Sequence, residues 1–240
     1  MFACPADLKM TTVPKYRLVY FDVRSLGEPI RWIFKYSGVP FVDDRLPWNY
    51  VEWSQETKFQ FNSTVRQIPV LYETGKRELC QSQVISRYLA CQFGLTGDNS
   101  WDNARCDEVI SLVLDLFAAK KATSFEMDSQ RKLRMKADLD EKFRLYYEKF
   151  SKILEEDEGD FILGSKVTHA DFWLANFISI WDEPMRGDRP VVPEDWPQLS
   201  DSDIYVGLTK EYSLLHKHKE AVSSLKGIKE WITKRHQTVA

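Results

Sequence analysis

The chain has 240 residues, of which 43% are hydrophobic and 29% charged, with a formal net charge of −3. That length allows two modest domains or one large one, and the composition is that of a soluble globular protein. The slightly acidic balance excludes a basic nucleic-acid-binding field, and no apolar run approaches the roughly 18 residues that would span a membrane.

Residues 1–14 lack the charged start and apolar core of a secretory signal and read as a short disordered tail. The first element is Tyr16-Arg17-Leu18-Val19-Tyr20-Phe21, an alternating run of strand formers. Gly27-Glu28-Pro29 opens a helix with proline well placed in its first turn, and Ser37-Gly38-Val39-Pro40 stops it. Phe41 to Leu46 reads as a second strand, so a right-handed parallel crossover is expected. Pro47 to Thr64 is irregular and aromatic, with Trp48, Tyr50, Trp53, Phe59 and Phe61, and predicts a long loop holding one helical turn.

The stretch Arg66 to Leu89 organises the rest. Ile68-Pro69-Val70-Leu71 is apolar, but its proline cannot donate a ladder hydrogen bond, which predicts an edge strand or the lead-in to one. Glu73-Thr74-Gly75-Lys76 is a hairpin turn, and Glu78-Leu79-Cys80 precedes a helix with Val84, Ile85, Tyr88, Leu89 and Phe93 on one face. Gln81 and Ser82 fall at that helix start, where backbone N–H groups and a hydroxyl can hold a carboxylate. An ordinary hairpin and a serine N-cap explain these residues equally well.

Gly94-Leu95-Thr96-Gly97 breaks the chain, and nearly everything after it is helical, which puts domains at 15–96 and 101–240. Glu108 to Ala119 is apolar almost all round and predicts a buried helix. Asp115 inside it either meets a cation from elsewhere or faces solvent at the helix edge. A long amphipathic helix follows from about Arg131 to Glu158. Thr168-His169-Ala170-Asp171 resembles a capping box before an aromatic helix. Four prolines between Asp182 and Asp203 rule out a continuous helix there, and two final helices are expected near Ile204–Lys219 and Ala221–Lys234. Cys4, Cys80, Cys91 and Cys106 are scattered, with Cys80 and Cys91 on apolar faces, which points to a reducing, cytoplasmic setting. No histidine pair has metal-ligand spacing, so no metal is expected. Asn62-Ser63-Thr64 and Arg186-Gly187-Asp188 read as chance motifs.

Five segments in order and spacing carry a resemblance. They are Y-R-L-V-Y-F with G-E-P-I-R, I-P-V-L, C-Q-S-Q-V-I-S-R-Y-L-A, F-G-L-T-G and F-I-L-G-S-K-V-T-H-A-D-F. The chain resembles cytosolic glutathione transferases, most of all the sigma class with its haematopoietic-type prostaglandin D synthases and helminth enzymes. The resemblance implies a thioredoxin-like α+β N-terminal domain, an all-α C-terminal domain and a homodimer. It implies a cis Pro69, and Tyr20 as the catalytic phenol that stabilises the glutathione thiolate. Gln67 and Ile68 before Pro69 would pair with the cysteinyl part of glutathione, Gln81 and Ser82 would hold its γ-glutamyl carboxylate, and Trp53 and Lys58 its glycyl end. Asp115 would reach across the dimer to the ligand's amino group. A few more residues separate Trp53 from Ile68 than the family has. Phe21, Leu26 and Phe117 would form the pocket for a small apolar electrophile, with Leu26 making it more apolar near the sulfur. Ser111 and Leu114 stand where prostaglandin D synthases have metal-binding aspartates, and Ala118–Thr123 lacks their pocket tryptophan. The expected activity is conjugation of glutathione to apolar electrophiles. The alternatives are a glutathione-dependent lipid isomerase and a non-catalytic carrier or structural protein.

Overall fold

Tyr16–Phe21 (β1) is the strand on which the sheet is built. It pairs in parallel with β2 (Phe41–Leu46) and antiparallel with β3 (Val70–Glu73), which pairs antiparallel with β4 (Leu79–Cys80), giving the order β2-β1-β3-β4. The computed structural model describes residues 14–60, 63, 65–182 and 211–235. All of the expected N-terminal tail but Pro14, the Arg186-Gly187-Asp188 motif and most of the proline-bearing stretch lie outside them.

Helix α1 (Glu28–Tyr36) makes the crossover between the parallel strands, with Pro29 in its first turn. Its face of Ile30, Ile33 and Phe34 packs on Tyr16, Leu18 and Leu71 and on Ile85 and Leu89 of α3 (Ser82–Phe93). β3 is not an edge strand: it lies between β1 and β4. Pro69 stands immediately before its first residue, so no ladder bond is lost. The expected long loop is instead largely helical. Its segment α2 runs without a break through α-helical Tyr50–Glu52, π-helical Trp53–Thr57 and α-helical Lys58–Gln60. An i→i+5 turn is how a helix absorbs extra residues. Here it also scrambles the apolar period that would have betrayed the helix.

Among the described residues the rest is mainly helical: α4 (Ser100–Ser124), α5 (Ser129–Glu156), α6 (His169–Asp182), α7 (Ser213–Ser224) and α8 (Lys226–Lys234). Of the two expected final helices, the start of the first lies outside the described residues; α7 ends at Ser224, beyond the expected Lys219, and α8 begins at Lys226 and ends, as expected, at Lys234. α4 is not buried all round. Val109, Ile110, Val113 and Leu116 face the core, while Glu108, Ser111 and Asp115 are exposed. α6 is the buried centre of this half, every residue from His169 to Ile180 being inside. Asp171 holds its start: its carboxylate accepts from Thr168 N (2.7 Å), Thr168 Oγ1 (2.8 Å) and Ile162 N (2.8 Å). The hydroxyl thus donates to the acid instead of capping an N–H, half of the expected box. Cys91 is exposed rather than on an apolar face, whereas Cys106 is fully buried.

The two halves meet in the cluster under the sheet. Phe172 and Ala175 of α6 and Val222 and Ile228 of the last helices join the cluster under the sheet. At its edge Glu28 is fully buried and accepts from Trp32 Nε1 (3.0 Å), Trp231 Nε1 (2.9 Å) and Arg235 Nη1 (2.5 Å).

Candidate active site

The sheet register brings three distant segments to one end of the molecule. Val19 lies opposite Val70, so Tyr20 and Phe21 continue past Pro69 and Ile68. Val70 lies opposite Cys80, so Gln81 and Ser82 leave β4 beside the same Ile68–Pro69 corner. The Ile68–Pro69 peptide is cis.

Tyr20 is 6% exposed and parts company with Tyr16 and Leu18, its neighbours by alternation. Those two belong to the core under the sheet. Tyr20 instead clusters with Phe21 and Val23, against Leu26, Leu46, Trp48, Trp53 and Ile68. Two residues that sequence reasoning did not single out fix its position. Gly27 has no side chain because the Tyr20 ring occupies its place, a Cβ there falling 2.4 Å from Tyr20 Cδ1. Arg31, fully buried, donates to the carbonyls of Phe21 (3.1 Å) and Val23 (2.7 Å) and clamps the chain just after Tyr20. Its guanidinium also lies 5.9 Å from the centre of the Tyr20 ring. Asp43 (2.9 Å) and Glu28 (3.3 Å) balance its charge, so the buried cation is fully paired. A glycine just ahead of a helix start, with an acid and an arginine three apart behind it, was the available signal.

Gln81 has φ 72° and ψ 111°, a conformation that side chains rarely adopt, and it turns the chain into α3. Ser82 is buried at the first helical position, and Gln67 is exposed just ahead of the cis bond. Trp53 packs edge-on against Phe21 at 5.2 Å between ring centres. Lys58 lies over the ring of its neighbour Phe59 at 4.9 Å.

Leu26 is the member common to the Tyr20 cluster and the core of the helical half, in which Phe117 packs on Phe177 at 5.2 Å. Leu26 thus joins the Tyr20–Phe21 cluster to the core against which Phe117 packs. Asp115 is set apart from this grouping. The buried reading of it fails: it lies on the solvent face of α4, where Tyr146 donates to it at 3.1 Å and Lys142 approaches to 3.8 Å.

A thioredoxin-like sheet with its cis-proline corner, joined to a helical domain, defines the class of protein. Residues 115–235 match the family described as glutathione S-transferase, C-terminal domain. A glutathione S-transferase of Anopheles gambiae is 34% identical over 167 residues, covering 69% of this chain and 79% of that one. Glutathione S-transferase 1 of Ascaris suum is 29% identical over 232 residues, covering 94% and 99%. Among solved structures, prostaglandin synthase D of Nilaparvata lugens superposes with a TM-score of 0.74 at 27% identity, over 93% of this chain and 99% of that one. The chain belongs to the glutathione S-transferase family. It is a glutathione transferase of two joined halves, and the resemblance to sigma-type enzymes read from its motifs agrees with these neighbours.

Proposed function

We propose that this transferase activates the thiol of glutathione as a thiolate at Tyr20 and joins it to small hydrophobic electrophiles. The observation that carries the reading is the convergence of Tyr20, the Ile68–Pro69 corner and the Gln81–Ser82 helix start at one end of the sheet. A neutral phenol at the strand end donates a hydrogen bond to sulfur, which stabilises the anion and raises its population near neutral pH. The backbone of Gln67 and Ile68 ahead of Pro69 pairs with the cysteinyl amide. The backbone N–H groups at Gln81 and Ser82 and the Ser82 hydroxyl take the γ-glutamyl carboxylate, which the positive end of α3 favours. Trp53 and Lys58 on α2 hold the glycyl end. Asp115, on the outer face of α4, serves the site of a second copy in a homodimer and takes the ligand's amino group there. Phe21, Leu26 and Phe117 wall the electrophile. The reaction needs no metal, the setting is cytoplasmic, and the domains divide between residues 96 and 101.

The test is conjugation of glutathione to chlorodinitrobenzene as a function of pH, with Tyr20→Phe alongside. The rate should rise through a midpoint well below that of free glutathione. Tyr20→Phe should lose about a hundredfold or more in kcat, the size of one transition-state donor, with glutathione affinity kept. Equal losses of affinity and rate would overturn the assignment.

A further inference from the structure

The loop between β1 and α1 is held from two sides. Buried side chains take three alternate carbonyls of it. Arg31 donates to those of Phe21 (3.1 Å) and Val23 (2.7 Å), and Asn176 Nδ2 donates to that of Ser25 (3.1 Å). Arg31 belongs to the sheet half, on α1. Asn176 lies 151 residues beyond Ser25, on α6 at the centre of the helical half. The Arg24 carbonyl accepts from Gly27 N (3.2 Å) and Glu28 N (2.9 Å), which closes a tight turn with Ser25 and Leu26 at its corners. Ser25 has φ 30°, in the left-handed region that an L side chain enters only at a cost. The bond from Asn176 falls on this strained residue.

Asn176 is fully buried, and only one end of its amide is used. A carbonyl can only accept, so the amide nitrogen faces Ser25, and Oδ1 meets no donor among the described residues. A buried acceptor without a donor disfavours the folded state. An apolar side chain at this position, between the fully buried Ala175 and Phe177, would escape that cost. The grip on Ser25 is therefore what the amide contributes. Leu26, the next residue, packs in both the Tyr20 cluster and the helical core. Gly27 follows, with the Tyr20 ring where its Cβ would be. A shift of Ser25 passes through one residue to the backbone that the phenol touches.

We propose that Asn176 is a positioning residue for glutathione activation. From the helical half it holds Ser25 in its strained turn, and so sets Leu26 and Gly27 against Tyr20. The catalytic consequence rests on thiolate chemistry at Tyr20; the hold on the turn does not. Without Asn176 the serine relaxes out of the left-handed region and carries the turn with it. Glycine has no such strain to relax, so Ser25→Gly should make Asn176 dispensable, whereas Ser25→Ala, which keeps the Cβ, should not.

The experiment compares the wild type with Asn176→Ala, alone and combined with Ser25→Gly or with Ser25→Ala. The readouts are kcat and KM for glutathione with chlorodinitrobenzene, the ultraviolet absorbance of bound thiolate at neutral pH, and amide hydrogen exchange over residues 21–29. Asn176→Ala should lose about tenfold in kcat, the effect of a sub-ångström shift at a reacting group, with KM for glutathione within about twofold of the wild type. Its thiolate absorbance should fall, and exchange at Leu26 and Gly27 should quicken. Adding Ser25→Gly should restore all three readouts, and adding Ser25→Ala should restore none. An unchanged kcat in Asn176→Ala overturns the proposal. A loss that Ser25→Gly fails to repair, or that Ser25→Ala repairs as well, also overturns it. Unfolding of Asn176→Ala that Ser25→Gly does not reverse has the same force. A wild type that forms no bound thiolate overturns activation at Tyr20, while exchange that Ser25→Gly repairs still upholds the hold of Asn176 on the turn.

Discussion

The ring of Tyr20 lies flush against the backbone of Gly27, where a Cβ would stand 2.4 Å from Cδ1 and 2.9 Å from Cγ. Neither neighbour has slack, because Tyr20 is held by its strand and Gly27 sits at the start of α1. Gly27→Ala must therefore move the phenol. A displacement of about 1 Å at a reacting group costs about a hundredfold in rate. We expect that loss in kcat for chlorodinitrobenzene conjugation, with the dissociation constant of glutathione changed far less. An alanine variant with unaltered kcat would show that the phenol's position is not set here.

Glu28 gives a signature in acid. Burial alone would raise its carboxyl, but Arg235 and Arg31, with the Trp231 indole, overcome that and hold it at about 2, below the ordinary 4.5. The folded state binds this proton more weakly than the unfolded chain. The stabilisation is therefore complete above pH 4.5 and is lost as pH falls from 4.5 towards 2, by about 3 kcal/mol in all. Guanidinium unfolding at pH 5.5 and pH 3 should show this, and Glu28→Gln should show a smaller difference between the two.

His169 acts in a higher window. Burial, with a smaller contribution from Arg87, depresses its imidazole to about 4 from the ordinary 6.5. Its Nδ1 meets Ser86 Oγ at 3.0 Å, and that hydroxyl also accepts from Trp173 Nε1 at 2.9 Å. The unfolded chain takes up the proton first, so stability is full above pH 6.5 and declines between pH 6.5 and 4, by about 3 kcal/mol. In urea titrations at pH 7.5 and 4.5, His169→Gln should be less stable throughout but change less between them.

Asp171 is the acceptor for two backbone N–H groups and a hydroxyl, all buried. Asp171→Ala leaves three donors without it and should cost about 3–5 kcal/mol. The thermal midpoint by circular dichroism should fall by about 10 °C for a chain of this size. A loss below about 1 kcal/mol would mean that water replaces the carboxylate at little cost.

What could be read from the sequence was local. Strand alternation at Tyr16–Phe21, the Pro29 start, the Glu73–Lys76 turn and the helix after Ser82 all follow from residues within one element. Tyr20 and the Gln81–Ser82 pair entered through ordered motifs, and the register then brought them to one corner. What stayed hidden depended on tertiary placement. α2 has a π turn that breaks its periodicity. Asp115 faces outward from a helix whose apolar residues outnumber those it buries. Gly27 and Arg31 act only through contact with a strand on the other side of a loop. No spacing rule reports a contact of that kind.

Glu28 also ties the beginning of the chain to its end in time. Its partners Trp231 and Arg235 lie 203 and 207 residues further on. A ribosome adding about 5–20 residues per second needs on the order of 10–40 seconds to cover that distance. Throughout that interval the nascent α1 carries a carboxylate that it cannot finish burying, and the strand carrying Tyr20 leans on a helix not yet closed. The final helix thus acts as the latch of the first, and truncation of the last few turns should leave a newly made chain dependent on chaperones.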